Sequence, residues 1–463
     1  MSNINFTCPH CSRLMQLPAV LEGKQGKCPS CKAEVVVTPD NPETSIVPTA
    51  NEPHSEAQKV IWKQPVVIGI SLVGVIGVVV VVVFISLMFS GDAEPIVSNS
   101  PSTIEMNDPV DSNSESFTEA ISYNNRGIAY RDQGELDKAI VDYSKAIELD
   151  PQLAVAYNNR GIAYRDQGEL DKAMVDYSRA IELEPQLAMA YNNRGQVYFV
   201  QGESDKAIAD FTKAIELDPR NTHAKSPYWF RGLAYYEQDK LDKAIADYSK
   251  SISLNPADAT TYYNRGEAYR NQGELDKAMV DYNMAIELDP QMAQAYNNRG
   301  QAYRIQGELD KAIADLTKAI ELDPANDVTY YYRGSAYFNQ GELDKAIADL
   351  TKAIELDPAD ATTYNNRGFV YANQGELDKA IADYSKVIEL DPQLAEGYQG
   401  RGFAYYQQGE LDKAIADFTK AIELEPVVAV IYHYRGYSFE KLGNKENAEA
   451  DFAKAKELGY KRE

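Results

Sequence analysis

The sequence predicts an all-α solenoid of ten stacked helical hairpins, and three observations predict it. First, Tyr-x-x-Arg-Gly recurs ten times, its glycine at Gly127, Gly161, Gly195, Gly232, Gly266, Gly300, Gly334, Gly368, Gly402 and Gly436. The interval is 34 residues except once, where it is 37 because about three residues near Thr222–Ala224 are inserted. Second, each unit sets aromatic and small residues at helical spacing, as in Tyr123, Gly127, Tyr130, Ala139, Tyr143 and Ala146. Third, nine units close on a proline, from Pro151 to Pro426.

Each element has its own reason. Glycine at the eighth position lets the second helix (helix B) of a hairpin come close to the first (helix A), and Ala139 and Ala146 do the same from the other side. Gln-Gly-Glu-Leu-Asp, as at Gln133–Asp137, ends helix A on glycine and opens helix B with acid near its positive end. The closing proline lacks an N–H and stops helix B. Of 32 tyrosines, 24 fall at the fourth, eleventh and twenty-fourth positions, which marks them as packing rather than a cofactor box.

This 34-residue unit resembles the tetratricopeptide repeat (TPR), in which a large aromatic, Gly, Tyr, Ala, aromatic, Ala and Pro stand at these offsets. The resemblance covers 120–462 and implies a right-handed superhelix with repeats at 120–153, 154–187, 188–221, 225–258, 259–292, 293–326, 327–360, 361–394, 395–428 and 429–462. Stacked hairpins need soluble ends. The last unit has Tyr460 in place of the proline, and its B helix carries Lys445, Glu446, Glu449, Lys454, Lys456 and Glu457, a capping pattern. One departure stands out: the seventh position is arginine in every unit, Arg126 through Arg435, and the twenty-third is aspartate, Asp142 through Asp451. These predict an Arg–Asp ladder between helices A and B, within a hairpin or between neighbours; recent duplication of the unit is the other explanation.

Four further zones precede the repeats. Residues 1–37 hold all four cysteines, Cys8-Pro-His-Cys11 and Cys28-Pro-Ser-Cys31, the spacing of a tetrahedral four-cysteine site for a structural Zn2+. A module this short buries little core, so metal would supply its folding free energy. Phe6, Leu14, Leu17 and Val35–Val37 are its expected short strands. The stretch is similar to the zinc ribbons that open many bacterial membrane proteins. A linker, 38–64, follows. Residues 65–89 form the expected transmembrane helix: Val66 to Phe89 carries no charge and spans about 36 Å, enough for a bilayer core. It starts too late and runs too long for a cleavable signal peptide. Lys59 and Lys63 precede it, while Asp92 and Glu94 follow with no Lys or Arg before Arg126. The positive-inside bias therefore predicts a single-pass protein of the bacterial inner membrane, with a cytoplasmic N-terminus and extracytoplasmic repeats. Residues 90–119, acidic and without hydrophobic periodicity, read as a disordered linker.

Function is expected on the repeats. The net charge is −24, which disfavours a nucleic-acid partner. Four histidines and the absence of HExxH, GxxxxGK[ST], GxGxxG and GxSxG predict no enzyme. The TPR resemblance implies a concave surface lined by positions two, five, six, nine, twelve and thirteen of helix A. The sixth position is Asn125, Asn159, Asn193, Asn264, Asn298 and Asn366, and asparagine is frequent at the fifth. Such a row suits the backbone of an extended peptide, since amides donate and accept. It is similar to the asparagine ladder of O-linked N-acetylglucosamine transferases, whose catalytic part has no counterpart here; duplication again is the alternative. Units four and seven replace the amides with Trp229 and Phe230, and with Tyr331 and Tyr332, candidate anchors for apolar side chains. The lysine pattern of chaperone-tail clamps is missing. Two readings follow: a membrane-anchored scaffold that holds proteins or peptides in the TPR groove, or a regulator centred on the zinc ribbon that contacts nucleic acid or a cytoplasmic protein. Neither reading fixes an oligomeric state.

Overall fold

The computed structural model describes residues 3–7, 14–18, 25–27, 34–36, 112–220 and 226–460. The chain divides into two units, Met1–Gly74 and Val75–Glu463, each taken by itself.

In the first unit, β1 (Asn3–Thr7) pairs antiparallel with β2 (Leu14–Pro18), placing Phe6 opposite Met15. β3 (Gln25–Lys27) pairs antiparallel with β4 (Glu34–Val36). β1, β2 and β4 fall on Phe6, on Leu14 and Leu17, and on Val35–Val36, as expected, whereas β3 (Gln25–Lys27) carries no apolar residue and was not anticipated. The four cysteines, the 38–64 linker and the 65–89 span lie outside the described residues. Among the described residues, no helix is long and apolar enough to cross a membrane.

In the second unit, twenty helices are described, two for every repeat. The third hairpin is representative, with helix A at Ala188–Val200 and helix B at Ser204–Leu217. Helix A ends on a left-handed residue, Gly134 (φ 75°) in the first hairpin, and Glu135 N–H then reaches back to the Tyr130 carbonyl at 2.9 Å. Helix B stops before the proline, as at Leu149 and Leu217. The eighth-position glycines do what the sequence requires: a Cβ on Gly161 would lie 2.7 Å from Tyr177 Cε1. Ala139, Tyr143 and Ala146 and their counterparts, the half-buried Phe452 of the last hairpin excepted, are buried and form the core between the helices.

The Arg–Asp ladder is present in all ten hairpins. Arg160 Nε and Nη2 donate to the two Asp176 carboxylate oxygens, both at 2.8 Å, and the same bidentate pair recurs from Arg126–Asp142 to Arg435–Asp451. The third donor crosses to the preceding hairpin. Arg160 Nη1 reaches Ser144 Oγ at 3.1 Å, and Arg231 and Arg435 reach Thr212 and Thr419 in the same way. One guanidinium therefore fixes its own hairpin through aspartate and the junction through Ser or Thr, so of the two placements left open by the sequence the Arg–Asp pair takes the one within a hairpin. Arg160 also lies between the Tyr157 and Tyr164 rings, at 5.7 and 5.9 Å, which accounts for the fourth- and eleventh-position tyrosines. A second junction bond runs on the outside, Gln167 Nε2 to Asp137 Oδ1 at 2.7 Å, and recurs as far as Gln408–Asp378.

One expectation is corrected. The first helix begins at Ser112, not after Glu119, so 112–119 are helical rather than linker. Ser116 Oγ, which donates to the Leu149 carbonyl at 2.9 Å, ties this extension onto its own helix B. Hydrophobic periodicity did not reveal it because the extension is held by such polar contacts and leaves Phe117 half exposed. The fourth hairpin lacks the turn glycine, and Asp239 takes the left-handed position instead (φ 55°). At the far end, Lys445, Glu446, Glu449, Lys456 and Glu457 are exposed on the last helix, as a cap requires.

Candidate functional site

Successive A helices touch each other along most of the stack while successive B helices hardly do, so the A row lies on the inside of the curve. The fifth and sixth positions bond there across four of the junctions. Asn159 Nδ2 donates to Asn124 Oδ1 at 3.0 Å, and Asn193 Nδ2 to Asn158 Oδ1 at 3.0 Å. Where tyrosine replaces the fifth-position amide, its hydroxyl accepts instead: Asn298 reaches Tyr263 at 3.1 Å and Asn366 reaches Tyr331 at 2.8 Å. The amide row is thus first of all a set of bonds between hairpins. These bonds account for one of the two N–H groups on Asn159, Asn193 and Asn366, while Asn298 uses both, its second on Glu267. Asn125, with no hairpin before it, is exposed; Asn193, Asn264 and Asn366 are half-buried, and Asn159 and Asn298 are each 9% exposed.

The aromatic anchors divide. Trp229 is completely enclosed and Phe230 is 7% exposed. Phe230 stacks on Phe211 of the third hairpin at 5.6 Å, and Trp229 meets Phe230 edge-on at 4.9 Å. Both belong to the core that joins the third, fourth and fifth hairpins, so their assignment as surface anchors is corrected. The A helix that carries them is short (Pro227–Glu237) and is capped by Ser226, whose side chain accepts from the Trp229 N–H. Tyr331 and Tyr332 stay half-buried on the inner face, edge-to-face at 5.2 Å.

Aromatics at the sixth position also break the ladder. Asn192 Oδ1, facing the junction with Phe230, and Asn297 Oδ1, facing the junction with Tyr332, are buried without a hydrogen-bond partner among the described residues. The twelfth and ninth positions add residues that pattern-reading passed over. Glu267 accepts from Arg270 Nη2 at 2.8 Å, from Asn298 Nδ2 at 2.7 Å and from the Tyr282 hydroxyl. Burial first, and the Glu267 charge second, push the Tyr282 phenol well above its usual range. Arg131 and Arg165 each pair with the next residue, Asp132 and Asp166. Arg304 has no such acid beside it; its guanidinium lies 5.5 Å from the Tyr332 ring centroid. The sequence held that signal, since Arg304 is followed by Ile305 where the others have aspartate or an acid three residues back.

The inner face therefore offers amides, phenols and, among the described residues, an arginine, Arg304, with no carboxylate paired to it. Comparison with known proteins gives the family. The TPR repeat profile matches 127–164, 161–202, 232–273, 266–304, 300–341, 334–375 and 370–409, and tetratricopeptide repeat profiles match 188–221, 395–426 and 429–458. Among solved structures, the chain is similar to YrrB, described as a TPR protein with an unusual peptide-binding site (28% identity, 40% of this chain and 95% of that one, TM-score 0.36). It is similar also to MamA (36% identity, 35% and 94% covered, TM-score 0.34) and to PilF of Pseudomonas aeruginosa (20% identity, 46% and 95% covered, TM-score 0.43). No curated protein matches. With profile matches over more than half its length and a hairpin observed at each of the ten repeats, the chain belongs to the tetratricopeptide repeat family.

Proposed function

We propose that this protein is a membrane-anchored scaffold that holds extended peptides or protein segments along the inner face of its repeats. The observation that carries the reading is the partly used amide and phenol row: each of Asn159, Asn193 and Asn366 bonds across a junction with one N–H and retains a second for a main chain. The charge-free run from Val66 to Phe89 supports a single membrane crossing, with Lys59 and Lys63 on the cytoplasmic side and the repeats in the extracytoplasmic space of a bacterial inner membrane.

A structural Zn2+ suits the N-terminal unit. Cys8 and Cys11 lie in the connection between β1 and β2, and Cys28 and Cys31 in that between β3 and β4, so each hairpin brackets one thiolate pair. Four soft thiolates are the donor set of a closed zinc site, and the ion would hold together two hairpins with little core between them. Cys8→Ser with Cys28→Ser should leave the purified full chain without bound zinc while the helical signal of the repeats persists. Zinc retained by that variant would refute the assignment.

The scaffold reading is tested by photo-crosslinking in cells. A benzoylphenylalanine placed at Asn366 should capture a protein adduct, while one at Val280, exposed on a B helix, should not. Adducts of equal yield from both positions, or from neither, would overturn the groove. Protease added after opening the outer envelope should digest the repeats and spare the N-terminal unit; protection of the repeats would reverse the topology.

A further inference from the structure

The junction between the sixth and seventh hairpins differs from its neighbours in what it leaves unpaired. On the sixth A helix (Ala293–Ile305), Asn297 presents an acceptor and Arg304 Nε a donor, both buried and both without a hydrogen-bond partner among the described residues. The acceptor is orphaned because Tyr332 stands where an asparagine would have donated to it. The donor is orphaned because no acid accompanies Arg304, whereas Arg131, Arg165 and Arg270 each have one. An unmade buried bond is costly, and two on one helix face call for partners from outside. Asn297 and Arg304 are seven residues apart, so they share a face about 10 Å apart along the axis. An extended chain covers that length in about three residues.

We propose that this junction binds an extended peptide whose carboxylate takes Arg304, about three residues along from a main-chain N–H that donates to Asn297. Tyr332, which lies over the guanidinium, moves aside, and its ring with Tyr331 forms a wall for an apolar side chain of the same peptide. The carboxylate then makes with Arg304 the bidentate fork that aspartates make with the seventh-position arginines within the hairpins. Charge complementarity selects this ligand: Arg304 is an inner-face cation left uncompensated in a chain of net charge −24. The inference rests on the scaffold reading and names the chemistry of its partner.

The test uses the full chain and two positional-scanning libraries of nonapeptides, one acetylated and amidated, one with a free C-terminal carboxylate, read by fluorescence anisotropy. The expected result is selection of Asp or Glu at one position of the capped library, or of the free terminus in the other; the two arms tell a side-chain carboxylate from a chain end. Arg304→Gln should weaken the selected peptide roughly tenfold or more, since a charge-assisted bond is lost. Arg304→Glu should turn the preference toward Lys or Arg, which a misfolded variant would not do. Peptides retained without acid preference, or equally by Arg304→Gln, would overturn this inference and leave the scaffold standing. Retention of no peptide from either library would overturn the scaffold itself.

Discussion

Replacing Arg160 by leucine while leaving Asp176 in place isolates the ladder. The guanidinium makes two bonds of 2.8 Å to Asp176 and one of 3.1 Å to Ser144, and Asp176 is 3% exposed. The variant leaves a buried carboxylate with no cation, a situation that costs about 3–5 kcal/mol. Protonation sets a ceiling on that cost: neutralising an aspartate of ordinary pKa at pH 7 requires about 4 kcal/mol. The expected loss is therefore about 3–4 kcal/mol at pH 7, shrinking as pH falls toward 4 because the unpaired Asp176 then takes up a proton. Removing Asp176 as well, in Arg160→Leu/Asp176→Leu, should restore most of the stability, since the pair adds register more than net energy. Hydrogen exchange on the first three hairpins is the suitable assay, because long repeat arrays unfold in parts. A single variant within about 0.5 kcal/mol of the parent, with no pH dependence, would refute the argument and leave duplication as the explanation for ten identical pairs.

Three further outcomes follow from the same geometry. Gly161→Ala gains up to about 1 kcal/mol of helix propensity but sets a methyl 2.7 Å from Tyr177 Cε1, so a net loss of about 1–2 kcal/mol is expected in urea melts; a stabilised variant would contradict it. Asp239→Gly relieves a left-handed aspartate and should raise exchange protection of Leu241–Leu254 by about 0.5–1 kcal/mol, and no change would sink the strain argument. Burial raises the phenols of Tyr143, Tyr177, Tyr248 and Tyr384. A raised folded-state pKa means that the fold holds its proton longer than the unfolded chain, so this stability is complete below about pH 10 and lost as pH rises further. Each of the four removes about 1.4 kcal/mol per pH unit there, and their phenolate absorbance should appear together with loss of helical circular dichroism. Ionisation of these four with the helical signal intact would show that they are not enclosed.

The hairpins were legible because their causes are local. Gly134 and its counterparts turn the chain, Pro151 and its counterparts stop it, and Gly161 makes room for Tyr177, all within one unit. The Arg–Asp pairs were legible as pairs from residues sixteen apart, yet the third bond, from Arg160 to Ser144, was not, since it crosses a junction whose angle no single unit encodes. The same limit governs the site. Trp229 and Tyr331 occupy the same position in their units, yet the tryptophan is fully enclosed in the core while the tyrosine stays half-buried at the groove. The helical start at Ser112 went unseen because polar contacts rather than an apolar stripe hold it.

By itself, then, the sequence determined the repeat, its register and its turns, since these follow from residue sterics and from contacts a few positions away. It also supplied the composition of the inner face, residue by residue. Only the tertiary structure decided which amides there already have partners, which aromatics are enclosed, and that Asn297 Oδ1 and Arg304 Nε are buried without one among the described residues. Those outcomes depend on how one hairpin is rotated against the next, and that rotation is set by side chains about 34 residues apart acting together.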